Sequence, residues 1–485
     1  MKKNLTLAEA LIPVVFLVAL LAYNVQKVFG DDALSGSNQF ALLLGASIAA
    51  LIGFKNKISF EYMMDTVAKN IKSTSSAILI LLFVGGLSGT WLLSGIVPTM
   101  IYYGLQILNP TIFLAASVVI ASLISLATGS SWSTSATVGI ALIGIGKALG
   151  INEGMIAGAV ISGAYFGDKI SPLSDTTNLA SAVAGTDLFT HIRYMLKTTI
   201  PSISITLILF VILGFYQKNS GDNINIDSML SSIKESFNVT PWLLIVPGIV
   251  IFLIIKKTEP LIALMLGTLL GGLFAILFQP HIIEKFAGIE KIDFHAAYKV
   301  VMNSITTETH IDTSNERLND LFTSGGMSGM LGTIWLILSA MVFGGIMEAI
   351  GALNTISSSL LRIAKGDFGV FASTVTTCIF FNGTVSDQYL AIVVPGKMYK
   401  TAFDEKNLKP ENLSRTLEDS GTVTSVLFPW NTGGAYNSRV LTVDTYHYLP
   451  YAFFNLISPL MTLIFAYFKI KIRKYKVNRK ENNGN

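Results

Sequence analysis

The sequence predicts an all-α polytopic membrane protein made of two inverted-topology repeats, with broken helices and re-entrant, hairpin-like segments. Three observations predict it. Of 485 residues, 51% are hydrophobic and only 13% are charged, with a mean hydropathy of +0.59. Soluble domains carry about 25% charged residues, so the surface of a soluble chain this long could not be covered. The second observation is a pattern that recurs at nearly one displacement along the chain. The third is the placement of lysine and arginine, which changes side between the two copies.

The apolar blocks come in order. The first half carries spans near 8–29, 39–54, 76–97, 153–168 and 198–217, and the second near 241–256, 260–279, 330–351, 413–428 and 449–468. Each is long enough for a crossing or close to it, since a membrane helix needs roughly 20 apolar residues. Between the third and fourth span of each half lies a shorter apolar pair, 111–127 with 134–150 and 368–381 with 386–396. These pairs are split by polar residues, so each is either a re-entrant hairpin or two crossings, giving 10 firm crossings and up to 14. Lys2 and Lys3 before the apolar stretch Ala8–Phe29 resemble a secretory leader. The stretch is too long for one and lacks a small-x-small exit, so it reads as the first span.

The recurrence is specific. Leu82-Phe-Val-Gly-Gly86 returns as Met341-Val-Phe-Gly-Gly345, 259 residues on, and Pro172 is followed by Pro429, 257 on. Thr128-Gly129-Ser-Ser-Trp-Ser and Asn382-Gly-Thr-Val-Ser-Asp387 form a looser pair, as do Asp187 with His191 and Asp444 with His447. Basic residues mark cytoplasmic loops near span ends. Lys2, Lys3, Lys55, Lys57, Lys69 and Lys72 fall inside and Asp31-Asp32 outside; in the second half Lys256-Lys257, Arg362 and Lys365 fall inside and the 280–330 connection outside. The reading is a first repeat over 1–217, a connection over 218–240, a second repeat over 241–468 and a basic cytoplasmic tail over 469–485. Both termini then face the cytoplasm.

Backbone at membrane depth leaves the helix only where protein buries it or a wet cavity meets it. Four polar breaks therefore stand out: Gly129-Ser-Ser-Trp-Ser-Thr-Ser135, Gly167-Asp168-Lys169-Ile-Ser171-Pro172-Leu-Ser174-Asp175-Thr176-Thr177-Asn178, Asn382-Gly-Thr-Val-Ser-Asp387 and Phe428-Pro429-Trp430-Asn431-Thr432-Gly433-Gly434. They offer Ser130, Ser133, Thr134, Thr176, Thr177, Asn382, Thr384, Ser386, Asn431 and Thr432 as oxygen ligands. Asp168, Asp175, Asp387, Glu418 and Asp419 add carboxylates inside or beside apolar runs, where ionisable groups default to function. A dehydrated Na+ needs several oxygens and a compensating charge, and Asp175, Asp387 and Asn431 are the expected Na+ ligands. Competing readings pair Asp168 with Lys169, and place Glu418 and Asp419 in a helix-surface network with Arg415.

Gly167-Asp-Lys-Ile-Ser-Pro-Leu-Ser-Asp-Thr-Thr177, Glu418-Asp-Ser-Gly-Thr422 and Pro429-Trp-Asn431 resemble the NhaC family of sodium/proton antiporters, which also includes malate/lactate exchangers. The resemblance covers roughly residues 10–470. It implies a secondary transporter of the bacterial inner membrane, related to the broader ion-transporter superfamily. It points to Asp168, Asp175, Glu418, Asp419 and Asn431 as ion or proton handlers.

The function expected is Na+/H+ antiport by alternating access, with Na+ and H+ competing for membrane-embedded carboxylates. The runner-up couples Na+ and H+ to exchange of a small organic acid, held by groups such as Asn382, Asn431, Lys169 or Arg439. An intramembrane aspartyl protease is remote, because Gly167-Asp168 lacks the glycine two residues before Gly167 that such enzymes carry, and a passive channel is equally so. The chain is not read as an enzyme. The partners expected are the lipid bilayer, Na+, protons and, in the second reading, a small carboxylate; a homodimer is left open. Nothing suggests a nucleic-acid face: the net charge is +4, with Lys and Arg between apolar blocks and in the tail. No cofactor is expected. Cys378 alone builds no disulfide or thiolate site, the five histidines show no metal spacing, and Gly144-Ile-Gly-Lys147-Ala148 lacks the remainder of a phosphate loop.

Overall fold

The computed structural model describes residues 5–29, 36–107, 109–218, 226–256, 258–289, 291–385 and 387–475. Lys2, Lys3, Asp31, Asp32, Lys257 and Ser386 lie outside the described residues, as does the tail beyond Tyr475. The first helices are α1 (Leu7–Tyr23), α2 (Ser37–Lys55), α3 (Phe60–Ser73), α4 (Ser75–Leu93), α5 (Ile96–Ile107) and α6 (Pro110–Thr128). After a break come α7 (Ser131–Thr134), a π-helical turn, α8 (Ile140–Ala148), α9 (Glu153–Ile170), α10 (Asp175–Ala184) and α11 (Leu188–Lys218). The middle of the chain forms α12 (Ile226–Ser236), α13 (Ile245–Ile255), α14 (Pro260–Phe278), α15 (Pro280–Ala287), α16 (Phe294–Thr306) and α17 (Glu316–Leu321). The remainder forms α18 (Leu331–Ala349), α19 (Ala352–Ile363), α20 (Gly366–Thr384), α21 (Gln388–Glu405), α22 (Pro410–Leu417), α23 (Thr432–Leu441), α24 (Thr445–Tyr448) and α25 (Phe453–Tyr467). The chain is an all-α, multi-pass membrane protein.

Among the described residues six helices are long and apolar enough to cross a membrane, and up to eight crossings result if two bent pairs each count as one. Fewer of the ten expected spans meet this test, for physical reasons. Span 153–168 became α9, which is buried on nearly every face, so protein rather than lipid surrounds it and no apolar run is required. Span 413–428 is not one helix: α22 stops at Leu417, a π-helical turn takes Glu418–Thr422 and a short 3-10 turn takes Ser425–Leu427. Span 449–468 is bent by 53° before Phe453. The stretch after the third span, 98–110, is largely helix α5, and the 280–330 connection is folded as α15–α17 with a two-residue antiparallel hairpin of Thr309–His310 and Thr323–Ser324. In the two short apolar pairs, α6, α20 and α21 reach 18 or 19 residues, and α7–α8 remain short.

Local sequence explains the element ends that matter. Asn109 caps α6 by accepting from the Thr111 amide, Pro110 sits at its first position, and Gly129 closes it in the left-handed conformation at φ 70°. Asn152 caps α9, which ends at Ile170 because Ser171 precedes Pro172 and is extended. Helix α9 packs on α6 through Gly163-x3-Gly167. A Cβ at Gly163 would lie 2.3 Å from the Val118 carbonyl oxygen, and one at Gly167 2.3 Å from that of Ser122. Small residues at this spacing let two helix backbones touch. That contact delivers Asp168, the next residue, to the break between α6 and α7.

The start of the tail is docked. Leu408 and Lys474 form an antiparallel bridge, the Tyr475 amide donates to the Asn407 carbonyl at 2.9 Å, and the Asn412 amide nitrogen donates to the Arg473 carbonyl at 2.7 Å. Arg473 pairs with Glu411 at 3.1 Å and Lys474 with Asp367 at 2.6 Å. Residues 473–475 thus strap the helix that leads into Glu418 and Asp419.

Candidate ion site

Each of the four breaks contains a residue whose side chain caps the helix after it. Ser130 accepts from the Ser133 amide, Ser174 from Thr177, Asp387 from Leu390 and Asn431 from Gly433. Such caps satisfy one orphan donor and leave the other helix-start amides, and the positive end of the helix dipole, facing the break. Ser130 and Asp387 are 257 residues apart, and so are Ser174 and Asn431.

The breaks meet crosswise. The ring of Trp132 in α7 stacks on Tyr436 in α23, with centroids 4.4 Å apart and planes at 17°, and the Tyr436 hydroxyl donates to the Trp132 carbonyl at 3.0 Å. The Ser135 hydroxyl donates to Asn437 Oδ1 at 2.7 Å. On the other diagonal α10 packs on α21, and the Tyr389 hydroxyl donates to Asp175 Oδ2 at 2.5 Å. The first break of one half therefore faces the second break of the other.

A cavity of about 300 Å³ lies at this crossing. Asp168, Asp175 and Asp387 all line it, together with Ser130, Ser133 and Thr432 from the expected set. Asp168 is buried; its Oδ2 accepts from the Ser131 amide at 3.1 Å and hydroxyl at 2.7 Å, and its Oδ1 accepts no hydrogen bond from the described residues. Asp387 is buried and Asp175 is exposed at the rim. The wall is completed by Gln388 and Tyr389, by Ser73, Thr74 and Ser76 at the start of α4, and by Glu259 at the start of α14. A vacant carboxylate oxygen among hydroxyls is a place for a small hard cation, which takes oxygen ligands.

Other expected ligands are committed elsewhere. Asn431 Oδ1 is the cap acceptor of α23 and its amide donates to Asn382, so the expected Asp175–Asp387–Asn431 ligand set does not converge. Asn382 donates to the Gly421 carbonyl and to Thr424 Oγ1. Thr134, Thr177 and Thr384 donate to backbone carbonyls, Thr176 shares a hydrogen bond with Ser174, and Ser386 lies outside the described residues. Among the described residues no three His, Cys, Asp or Glu side chains sit close enough to share one metal ion. A cation here would be held by fewer than three carboxylates, with hydroxyls and water completing its shell.

Glu418 and Asp419 form a second, closed region. Asp419 is fully buried and paired with Lys169, which also donates to Ser458 Oγ at 2.9 Å. Asp419 further accepts from Thr198 at 2.9 Å and from Thr462. Asp168 is thus not paired with its neighbour Lys169. Nor is there a helix-surface network around Arg415: α22 is buried, and all three guanidinium nitrogens of Arg415 lack hydrogen bonds. The guanidinium lies over Tyr194 at 4.6 Å, and both carboxyl oxygens of Glu418 are buried and make no hydrogen bond among the described residues. A π-helical turn at such residues is a common mark of functional sites.

Sequence reasoning did not find Ser131, Tyr389 or Gln388 as site residues, although each adjoins a break that it did find. Adjacency to an N-cap was the available signal. Thr198, Ser458 and Thr462 gave none, being ordinary helix hydroxyls until the fold brings them to Asp419.

Comparison with known proteins decides the family. A model of the Na+/H+ antiporter family matches residues 163–470, which contain the end of α9 and everything from α10 to α25. The chain belongs to the Na+/H+ antiporter family. It is 37% identical over 427 residues to the Na+/H+ antiporter NhaC of Alkalihalophilus pseudofirmus, covering 88% of this chain and 89% of that one. It is 36% identical over 466 residues to the malate-2H+/Na+-lactate antiporter of Bacillus subtilis, covering 95% and 94%. The arginine/ornithine antiporter ArcD of Halobacterium salinarum is 31% identical over 96% of this chain and 93% of its own. The resemblance read from the Asp168–Thr177, Glu418–Thr422 and Pro429–Asn431 motifs is therefore the family assignment itself.

Proposed function

We propose that this member of the Na+/H+ antiporter family exchanges Na+ for H+ by alternating access, the two competing for the carboxylates of the crossing. The observation that carries this reading is the meeting of Asp168, Asp175 and Asp387 on one cavity at the ends of broken helices. Such discontinuous helices, facing one another near the bilayer midplane, are where secondary transporters bind coupling ions. A carboxylate that loses its proton gains a charge for Na+, and one that holds the proton offers none. Exchange follows from that exclusion. Asp168, with one oxygen vacant and the other held by Ser131, is the first Na+ ligand; Asp387 and Asp175 line the route to it.

The same reading places the membrane. Residues 1–217 and 241–468 act as inverted repeats, and the basic residues near the start of α4 and α14 and on the tail put that end of the bundle and both termini in the cytoplasm of a bacterial inner membrane. The carboxylate cavity, walled by Thr74 and Glu259, then opens inward. A second reading, exchange of a small organic acid coupled to Na+ and H+, draws support from the malate/lactate relative, which aligns along nearly all of this chain.

The test is exchange by purified protein in vesicles with imposed Na+ and pH gradients and no carboxylate present. Wild type should move Na+ against H+, and Asp168→Asn should not. No exchange until malate or lactate is added would establish the second reading instead.

A further inference from the structure

We infer that the basic patch where α11, the end of α25 and the docked tail meet is a binding site for the headgroup of an anionic phospholipid, contacted by Lys197 and Lys471. The patch is built around Tyr194, which is buried near the start of α11. Three cations lie over its ring: Arg415 at 4.6 Å from the centroid, Arg473 at 5.1 Å and Lys197 at 5.2 Å. The Tyr194 hydroxyl also donates to the Lys471 carbonyl at 3.0 Å, which pins the backbone of the tail lysine to the same place. Lys197 is half-buried and Lys471 exposed, so both ammonium groups are within reach of a ligand.

The charge here is not balanced. Glu411 supplies a carboxylate, and Arg473 takes it at 3.1 Å. Among the described residues Lys197, Lys471 and Arg415 make no ion pair. The charges of Arg473, Lys471 and Arg415 all bear on Lys197. Arg415 is fully buried and none of its three guanidinium nitrogens makes a hydrogen bond, so the aromatic faces of Tyr194, Phe371 and Phe465 meet its charge in place of an acid. A buried cation with no counter-ion is little screened, and its field adds to that of the two lysines. Cations crowded in this way draw an anion to the surface they share.

Position decides which anion. Tyr467 and Phe468 are exposed at the end of α25, and Lys469 and Lys471 follow directly. Exposed aromatic rings followed at once by lysines mark the level where acyl chains give way to headgroups. On α11, Ile200 is exposed one turn beyond Lys197 on the same helix face, and Ile205 and Ile208 are exposed further along. Helices α11 and α25 pack on each other, so acyl chains find an apolar wall beside the cations. A soluble anion would use the charges and leave that wall idle; a phospholipid uses both. Lys and Arg clustered at the end of a membrane helix recognise anionic headgroups by this combination. A phosphate bridging Lys197 and Lys471 would tie the tail to α11, and through the tail it would steady the strap on α22. The inference stands apart from the Na+/H+ reading, since it concerns lipid binding without any gradient.

The experiment is calorimetric titration of the purified full-length protein, in a neutral detergent, with short-chain phosphatidylglycerol, short-chain phosphatidylcholine and inorganic phosphate in turn. Saturable binding of phosphatidylglycerol is expected, with the zwitterionic lipid and free phosphate at least about tenfold weaker. Lys197→Gln with Lys471→Gln should weaken phosphatidylglycerol roughly thirtyfold, the contribution of two cations to the attraction of an anionic lipid. Lys471→Gln alone, at an exposed position, should weaken it about fivefold and serves if the double variant does not fold. Lys197→Arg with Lys471→Arg, which keeps the charge, should bind as wild type does. Lys69→Gln with Lys72→Gln removes as much charge from exposed positions on α3 and should leave binding unchanged. Equal phosphatidylglycerol affinity in wild type and the glutamine variants at Lys197 and Lys471, an equal loss in the α3 variant, phosphatidylcholine or phosphate binding as tightly as phosphatidylglycerol, or no saturable binding overturns the inference.

Discussion

Two groups of acids lie beside helix breaks within one molecule and are treated in opposite ways. At the crossing of the breaks, Asp168 keeps one oxygen vacant, and Asp387 and Asp175 share its cavity. In the closed region Asp419 is fully buried and surrounded by Lys169, Thr198, Ser458 and Thr462. The residue type is the same, and both sit next to departures from regular helix. The difference is satisfaction: a fully paired carboxylate holds a fold together, and one with a vacant oxygen beside hydroxyls can exchange what it binds. Glu418 belongs spatially to the closed region, but its two oxygens make no hydrogen bond among the described residues, which makes it the exception there.

The comparison can be broken most forcefully at the closed pair. Asp419→Asn leaves the Lys169 ammonium buried without its counter-charge, which costs roughly 3–5 kcal/mol; thermal melting of the purified protein should show it. The double variant Lys169→Met with Asp419→Leu should recover most of the loss, and a single variant that melts like wild type would remove the distinction between the two groups. At the crossing the expected loss is functional. Asp168→Asn and Asp387→Asn should lower Na+-driven exchange in vesicles by about 100-fold, or ~2.7 kcal/mol in the transport barrier. Asn caps helices about as well as Asp, so Asp387→Asn should melt near wild type.

Smaller effects sharpen the same contrast. Gly167→Ala drives a Cβ into the Ser122 carbonyl and should cost roughly 1–3 kcal/mol of stability, the range for overpacked contacts. Because α9 also presents Asp168, exchange should fall with it, linking the packing of α6 on α9 to the open site. Tyr389→Phe removes the donor to Asp175 at the exposed rim. Apparent Na+ affinity should weaken about threefold, near the low end for a hydrogen bond to a charged group that solvent screens. Melting should not change.

The sequence reading found the open site better than the closed one. Hydropathy and charge placement exposed the membrane class, and the proline and glycine breaks exposed where helices stop, because both are local signals. Ser130, Asp168, Asp175, Asp387 and Thr432 were legible for that reason. The crosswise meeting of Trp132 with Tyr436 and of Asp175 with Tyr389 was not, since it depends on contacts more than 200 residues apart. Neither was the partner exchange by which Lys169 leaves its neighbour Asp168 for Asp419. Helix α9 was read from its apolar run alone, and composition cannot tell a lipid-facing surface from one packed against protein, as most of α9 is. Asn431 was over-read for a related reason: a side chain at a helix start caps first, and only a carboxylate or hydroxyl with a spare oxygen remains for an ion.

The short strap over α22 has a practical reach. Arg473, Lys474 and Tyr475 grip Glu411, Asp367 and Asn407, so the rod that ends at Glu418 is clamped from a segment distant in the chain. Loosening that clamp, as by Arg473→Ala with Lys474→Ala, should alter turnover without touching any carboxylate of the cavity.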